Sequence, residues 1–273
     1  MIVDNLDNLP NPAQLPDPVL VEQAMAAIAL FEQSPTPGIW PAIQKPQLLE
    51  EMRSRVQDPF QVDQGHQPFC GPAALVFELL RHNPVKYVQI CRNLYQLGGF
   101  STTTHWISPQ PSLIADQGNP RMPLTDWMVL ATLRESENLI FPVQTYSIEI
   151  VRNIAGMTKP WEMQGWIAEI LGYRNTQFAA TLFTGSRQII QKAAEVINSG
   201  GVAFALVTSP GLLYGDPPLV PLPGHWISLL GNVSTQTPDR LSFDTFTWAR
   251  KMHVDVAESR FRSHFWGIVT GQP

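Results

Sequence analysis

The chain has 273 residues, of which 44% are hydrophobic and 15% are charged, and its formal net charge at pH 7 is −5. A chain of this composition can bury a sizeable core, as one large domain or as two small ones. The negative net charge and the scattered basic residues give no sign of a surface for nucleic acid or anionic membranes. Nucleic acid is therefore not expected among its partners.

The sequence contains two cysteines, Cys70 and Cys91. Two cysteines are too few for a disulfide scaffold, although a single disulfide between them is an alternative. They also lack the close spacing of a zinc site. We expect no metal and no cofactor. The acidic N-terminus does not resemble a signal peptide, and no stretch approaches the roughly 18 apolar residues of a membrane span. We expect a cytoplasmic protein in the producing cell, and its export would need a route without a signal peptide.

Residues 1–60 differ in composition from residues 61–273, because nine prolines divide them into short pieces. Helices are predicted at Pro18–Gln33, which begins with proline and has one apolar face, and at Gln47–Val56. The segment is predicted to be an N-terminal extension packed on the main domain at residues 61–273. Simple packing is one role for it, and a pro-segment or an arm that docks a partner is the alternative.

Along residues 61–273 mostly helices are predicted first and strands afterwards, which is typical of an α+β fold. The predicted helices are Gly71–His82, Val85–Leu97, Leu124–Glu137, Pro160–Leu171 and Arg187–Asn198. The predicted strands are Gln177–Phe183, Val202–Thr208, His225–Val233, Arg240–Phe246, Met252–Val256 and His264–Thr270. The proline-rich loop Ser209–Gly224 leads directly into His225, and its length predicts a rim or a lid.

Cys70 is the candidate nucleophile because it stands where a buried apolar helix begins. Unpaired N–H groups and the helix dipole stabilise negative charge at that position, so the pKa of the thiol is predicted to be lowered. A backbone N–H near Cys70 and the side-chain amide of Gln64 could together hold a developing oxyanion. Gln67 competes with Gln64 for this role, and spacing favours Gln64.

His225 is the candidate general base, since it follows the proline-rich loop and opens a strand at the sheet edge. Asp244 lies in the next predicted strand, among apolar residues, where an unpaired carboxylate would be costly. A hydrogen bond between the two would satisfy the carboxylate and orient the imidazole. The alternatives are that His225 is a core histidine and that Asp244 caps a turn. His105 is the rival base, but no strand with an acid follows it.

These residues resemble the papain-like cysteine peptidase superfamily in their order and spacing: Gln64, then Cys70 at the head of a buried helix, then His225, then Asp244. The Cys-Gly-Pro-Ala start of the helix looks more like the C39-type and transglutaminase-like branches, and bacterial effector and toxin members, than like papain. The resemblance implies that Gln64 belongs to the oxyanion hole, Cys70 is the nucleophile, His225 is the base and Asp244 is the orienting residue. The chain departs from papain in lacking Cys-Gly-Ser-Cys-Trp and in carrying Asp where Asn is usual.

The resemblance implies a papain-like α+β fold, with a helical lobe packed on a C-terminal antiparallel sheet, and a thiol peptidase acting on proteins or peptides. A glutamine deamidase, transamidase or acyltransferase stays open, as does a non-catalytic papain-like binding module. A secreted bacterial effector or toxin is a further expectation. The predicted substrate contacts are Gly71, Gly224, Trp226 and Phe246, and Phe246 and Trp248 are placed to shield the His225–Asp244 bond.

Overall fold

The structure is a computed structural model, and it describes residues 9–116, 121–140 and 158–273. The first eight residues of the predicted N-terminal extension, on which the expectation about a signal peptide rests, lie outside the described residues. Within the described ranges, no helix is both long enough and apolar enough to cross a membrane.

In the described ranges, all of the α-helices except the last lie before residue 200. They are α1 (Pro18–Gln33), α2 (Lys45–Gln57), α3 (Cys70–His82), α4 (Pro84–Leu97), α5 (Pro111–Ile114), α6 (Leu124–Ile140), α7 (Pro160–Trp166), α8 (Thr181–Thr184), α9 (Ser186–Asn198) and α10 (Glu258–His264). Asp17 caps α1 and Asn83 caps α4, because each side chain accepts a hydrogen bond from a backbone N–H of the first turn. Gly98 ends α4 at a φ of 73°, where glycine is favoured.

In the described ranges, eight strands form two antiparallel sheets. The strands are β1 (Phe100–Ser101), β2 (Trp106–Ile107), β3 (Asn175–Ala180), β4 (Val202–Val207), β5 (His225–Ser234), β6 (Arg240–Thr247), β7 (Arg250–Ala257) and β8 (Phe265–Gln272). β1 and β2 pair with each other, and the other six follow the order β3-β8-β4-β5-β6-β7. The α+β class with an antiparallel sheet is thereby confirmed.

The six-stranded sheet separates two hydrophobic cores. On one face Trp226 and Leu230 of β5 pack in a core with α3, while on the other face Ile227 and Leu229 pack in a core with α9. This follows from the alternation of side chains along a strand. The buried residues of α1 and α2, for example Phe31 and Leu48, belong to the same core as α3. The helices of the N-terminal segment therefore pack as part of the main body.

Several elements differ from the sequence prediction, and the short elements β1, β2 and α5 were not predicted at all. The predicted strand Gln177–Phe183 is wrong at its end, because Thr181–Thr184 forms the short helix α8. The helix predicted at Pro160–Leu171 changes at Ile167 into a five-residue π-helical turn, which Gly172 ends at a φ of 79°. α10 was not predicted, since it connects two strands through a polar run without a helix start signal.

Candidate functional site

Cys70 is the first residue of α3, and the residue is only 6% exposed. The backbone N–H groups of Gly71 and Trp226 lie near the sulfur and favour its thiolate form. Trp226 directly follows His225 in β5, so the head of α3 lies against the beginning of that strand. Thr158 covers this junction: the Trp226 indole donates to its carbonyl at 2.7 Å, and a Cβ on Gly71 would lie 2.7 Å from its own Cβ. Glycine at position 71 thus permits close packing.

The pKa of the Cys70 thiol is raised, against the prediction from the helix terminus. Burial is the largest cause, and it disfavours the thiolate. The N–H groups of Trp226 and Gly71 and the positive charge of Arg134 act in the opposite direction without outweighing it. The burial of the first residue of α3 therefore determines the direction of the pKa shift. At neutral pH the Cys70 side chain is a neutral thiol.

His225 is 5% exposed, and its ring is held by two contacts. Nε2 lies 2.6 Å from the Thr247 hydroxyl, and the imidazole stacks on the Trp248 indole with 4.4 Å between ring centroids. Burial lowers the pKa of His225 to about 4, so the imidazole is neutral at pH 7. Because a hydroxyl can donate or accept, Thr247 positions the ring without fixing its tautomer, and Nδ1 is the other ring nitrogen.

Trp248 occupies a strained turn between β6 and β7. Trp248 and Ala249 have φ angles of 46° and 55°, a conformation that two-residue hairpin turns require and that glycine and asparagine usually supply. The indole stacks between His225 and Tyr214, whose ring lies 5.5 Å away. Tyr214 belongs to the predicted rim loop, so this loop contacts the surroundings of His225. Backbone strain of this kind is often found at functional sites.

Asp244 does not contact His225, and the predicted hydrogen bond between them is wrong. The β5–β6 register pairs Asp244 with Gly231, six residues beyond His225 and thus about 20 Å along the strand. The carboxylate is fully buried and accepts hydrogen bonds from Lys251 (2.8 Å), His253 (2.7 Å) and Gln14 (2.9 Å). Burial raises the pKa of Asp244, but these partners outweigh it, and the net pKa is lowered.

Thr247 takes the place predicted for the orienting acid. Ser228 pairs with Phe246, so the end of β6 lies beside the beginning of β5 and brings Thr247 to His225. Asp244 lies four residues after the start of β6, whereas His225 lies nine residues before the end of β5, so this hairpin cannot pair them, and the bulges near Gly231 and Ser234 shift the register by only two residues. Counting outward from the turn places the end of β6 beside His225, but nothing in the sequence singles out the Thr247 hydroxyl.

Gln64, the predicted oxyanion-hole residue, is 8% exposed and lies in the loop before α3. One N–H of its side-chain amide donates to the carbonyl of Gln67 at 3.1 Å, which leaves the second amide hydrogen for another acceptor. The role in the oxyanion hole stays a prediction.

The four predicted substrate contacts fall into two groups. Gly71, Trp226 and Phe246 are buried, and Phe246 stacks on Phe77 with 3.9 Å between centroids. These three residues pack inside the protein and are not exposed to a substrate. Gly224 is exposed, with open space where a Cβ would stand, so it is the accessible member of the set.

The rival base His105 lies in an exposed loop at the β1–β2 hairpin. Its Nδ1 is 2.6 Å from the Thr104 hydroxyl and 3.8 Å from the Glu169 carboxylate. Glu169 also accepts hydrogen bonds from Thr102 and from the backbone and hydroxyl of Thr104, so it ties the loop to the middle of the π-helical turn. These contacts hold the β1–β2 loop against the π-helical turn at the protein surface.

No family model matches the chain, and no curated protein matches it in sequence. In the part of the chain that the structure describes, no group of three or more His, Cys, Asp or Glu side chains is arranged to hold a metal ion. The fold and the site define an α+β protein with a buried thiol and a buried neutral imidazole near the beginning of β5.

Proposed function

We propose that the protein is a papain-like cysteine hydrolase, in which Cys70 is the nucleophile, His225 is the base and Thr247 positions the imidazole. One observation carries the proposal: the backbone N–H of Trp226, the residue that directly follows His225, lies close enough to the Cys70 sulfur to act on the pKa of its thiol. A nucleophile and a base need to come within hydrogen-bonding reach of each other. Amide bonds of proteins or peptides are the proposed substrates.

The proposed reaction begins from the neutral thiol and the neutral imidazole, because burial shifts both pKa values away from an ion pair. The Cys70 sulfur attacks the substrate carbonyl while the imidazole takes the thiol proton, and Nδ1 does so because Thr247 holds Nε2. The imidazolium then gives the proton to the leaving amine, and water releases the acyl group from sulfur. In the structure the His225 ring contacts Thr247 and Trp248, so this reaction requires the imidazole to reach the Cys70 sulfur around the start of β5, where His225 is the first residue.

A non-catalytic binding module of the same fold is the second candidate, and two observations favour it. Asp244 is engaged by Lys251 and His253 in place of His225. The side chain of His225 also points to the opposite face of β5 from Trp226, since its cross-strand partner Val207 packs in the core with α9. A deamidase or transamidase would use the same residues as the hydrolase. A role as an effector or toxin would concern how the protein is delivered to its target and not which residues react.

Alkylation with iodoacetamide at neutral pH, followed by intact-mass and peptide analysis, tests the enzymatic proposal. We expect Cys70 to react before Cys91, because Cys91 is completely buried and burial raises the pKa of its thiol. The Cys91→Ala variant should react like the wild type, and Cys70→Ala should not react. Absent or equal labelling of the two cysteines would contradict the proposal.

Incubation of the wild type and the Cys70→Ala variant with a cell extract separates the candidate activities. New peptide termini that depend on Cys70 identify a peptidase, and conversion of glutamine to glutamate identifies a deamidase. An extract that stays unchanged, together with a labelled Cys70, supports the binding module.

A further inference from the structure

A cavity of about 400 Å³ lies between α8, α10 and the beginning of β8, and the proposed function does not use it. Phe265 and Trp266 of β8 and Leu182 and Phe183 of α8 supply large apolar walls. Cavities of about this size, with mostly apolar walls and a few polar groups, are typical of small-molecule sites.

The apolar residues at this cavity are unusually exposed. Leu182 is 88% exposed, Phe183 is 87% exposed and Trp266 is 39% exposed. Trp266 is also held in place, because its indole donates to the Thr208 hydroxyl at 3.0 Å and that hydroxyl donates to the Leu222 carbonyl. A preformed aromatic wall beside exposed apolar side chains indicates that an apolar group binds there.

Arg262 supplies the charge. Its exposed side chain lines the cavity, and it makes no ion pair or hydrogen bond with any described residue. The described residues that line the cavity include no acid. An unpaired guanidinium at the edge of an apolar cavity is complementary to a carboxylate, which it binds through two parallel hydrogen bonds.

We propose that this cavity binds an amphipathic carboxylate, with its apolar tail against Phe183, Phe265 and Trp266 and its carboxylate on Arg262. Two sources share this chemistry: a free medium-chain fatty acid, and the C-terminal residue of a peptide that ends in an apolar side chain. The proposal is independent of Cys70, so the site remains whether the protein is an enzyme or a binding module.

Isothermal titration calorimetry of the full chain tests the proposal with two pairs of probes. The first pair is laurate and dodecanol, and the second pair is a short peptide ending in phenylalanine with a free carboxylate and the same peptide as its amide. For the true source, the carboxylate should bind at least about ten-fold more tightly than its uncharged partner. Arg262→Gln should remove this difference and leave the binding of the uncharged probe unchanged.

Arg174→Gln is the matched control, since Arg174 is also exposed and lies just before the far end of β3. It should bind all four probes like the wild type. A second variant, Phe183→Ser, should weaken the laurate or the peptide by removing an exposed apolar wall without disturbing the core. Failure of both carboxylates to bind, or equal binding by the wild type and Arg262→Gln, would overturn the proposal.

Discussion

Replacement of Asp244 by asparagine tests whether this carboxylate is structural or catalytic. Asp244 is fully buried and lies 2.8 Å from the ammonium of Lys251, whose side chain is only 5% exposed. The substitution keeps the shape of the side chain but leaves the Lys251 charge buried without its counter-ion. Breaking a buried ion pair in this way costs about 3 to 5 kcal/mol. This is a large fraction of the roughly 5 to 15 kcal/mol that stabilise a typical domain.

Urea unfolding of the wild type and Asp244→Asn measures the change in the free energy of unfolding. Asp255→Asn is the control, because Asp255 pairs with Arg240 at 2.9 Å on the surface, where such pairs contribute about 1 kcal/mol or less. The double variant Asp244→Asn/Lys251→Met should regain much of the lost stability. Under native conditions the folded Asp244→Asn variant should keep the Cys70 alkylation rate of the wild type.

The difference in unfolding free energy between the wild type and Asp244→Asn should become smaller at acidic pH. The pKa of Asp244 is lower in the folded state than its ordinary value of 3.8, so its ionised form stabilises the fold above about pH 4. That stabilisation is lost as the pH falls through the lowered pKa, and the gap between the wild type and Asp244→Asn should close there. A variant as stable as the wild type that no longer reacts at Cys70 would refute the structural role.

Three further outcomes are expected. Thr247→Val should slow any Cys70-dependent reaction by about ten-fold or more, because His225 loses the hydroxyl at Nε2, and its unfolding free energy serves as the control for folding. The imidazole signals of His225 in an NMR titration, assigned with His225→Gln, should move with a midpoint near pH 4, and a midpoint near 6.5 would contradict its burial. Ala249→Gly should stabilise the fold by up to about 1 kcal/mol in urea unfolding, because residue 249 has a φ of 55°, and an unchanged or lower stability would show that the turn is not strained.

Hydrophobic patterns predicted the elements that carry Cys70 and His225. The run after Cys70 is apolar on nearly every side, and α3 indeed begins at that residue and is buried through Leu80. In the same way, the proline-rich loop before His225 correctly predicted that a strand, β5, begins at His225. Such predictions succeed because burial periodicity and chain breakers are local properties of the sequence.

The partner of His225 could not be predicted, because it depends on strand register. The prediction placed Asp244 beside His225, but the two strands are antiparallel and joined by a turn near Asp244, so the far end of β6, with Thr247, lies beside His225. The prediction that the pKa of the Cys70 thiol is lowered was wrong for a related reason. The helix terminus has its expected N–H groups, yet the depth of burial depends on residues distant in sequence, such as Trp226 and Thr158.

Transfer of an acetyl group from p-nitrophenyl acetate to the protein tests the central claim most directly, because it needs no knowledge of the natural substrate. Mass spectrometry of rapidly quenched samples should show acetylation at Cys70 and none at Cys91. The rate should fall at least about 100-fold in His225→Gln, since the imidazole takes the thiol proton. Acetylation of Cys70 at the same rate in the wild type and His225→Gln, or no acetylation of Cys70, would contradict the account.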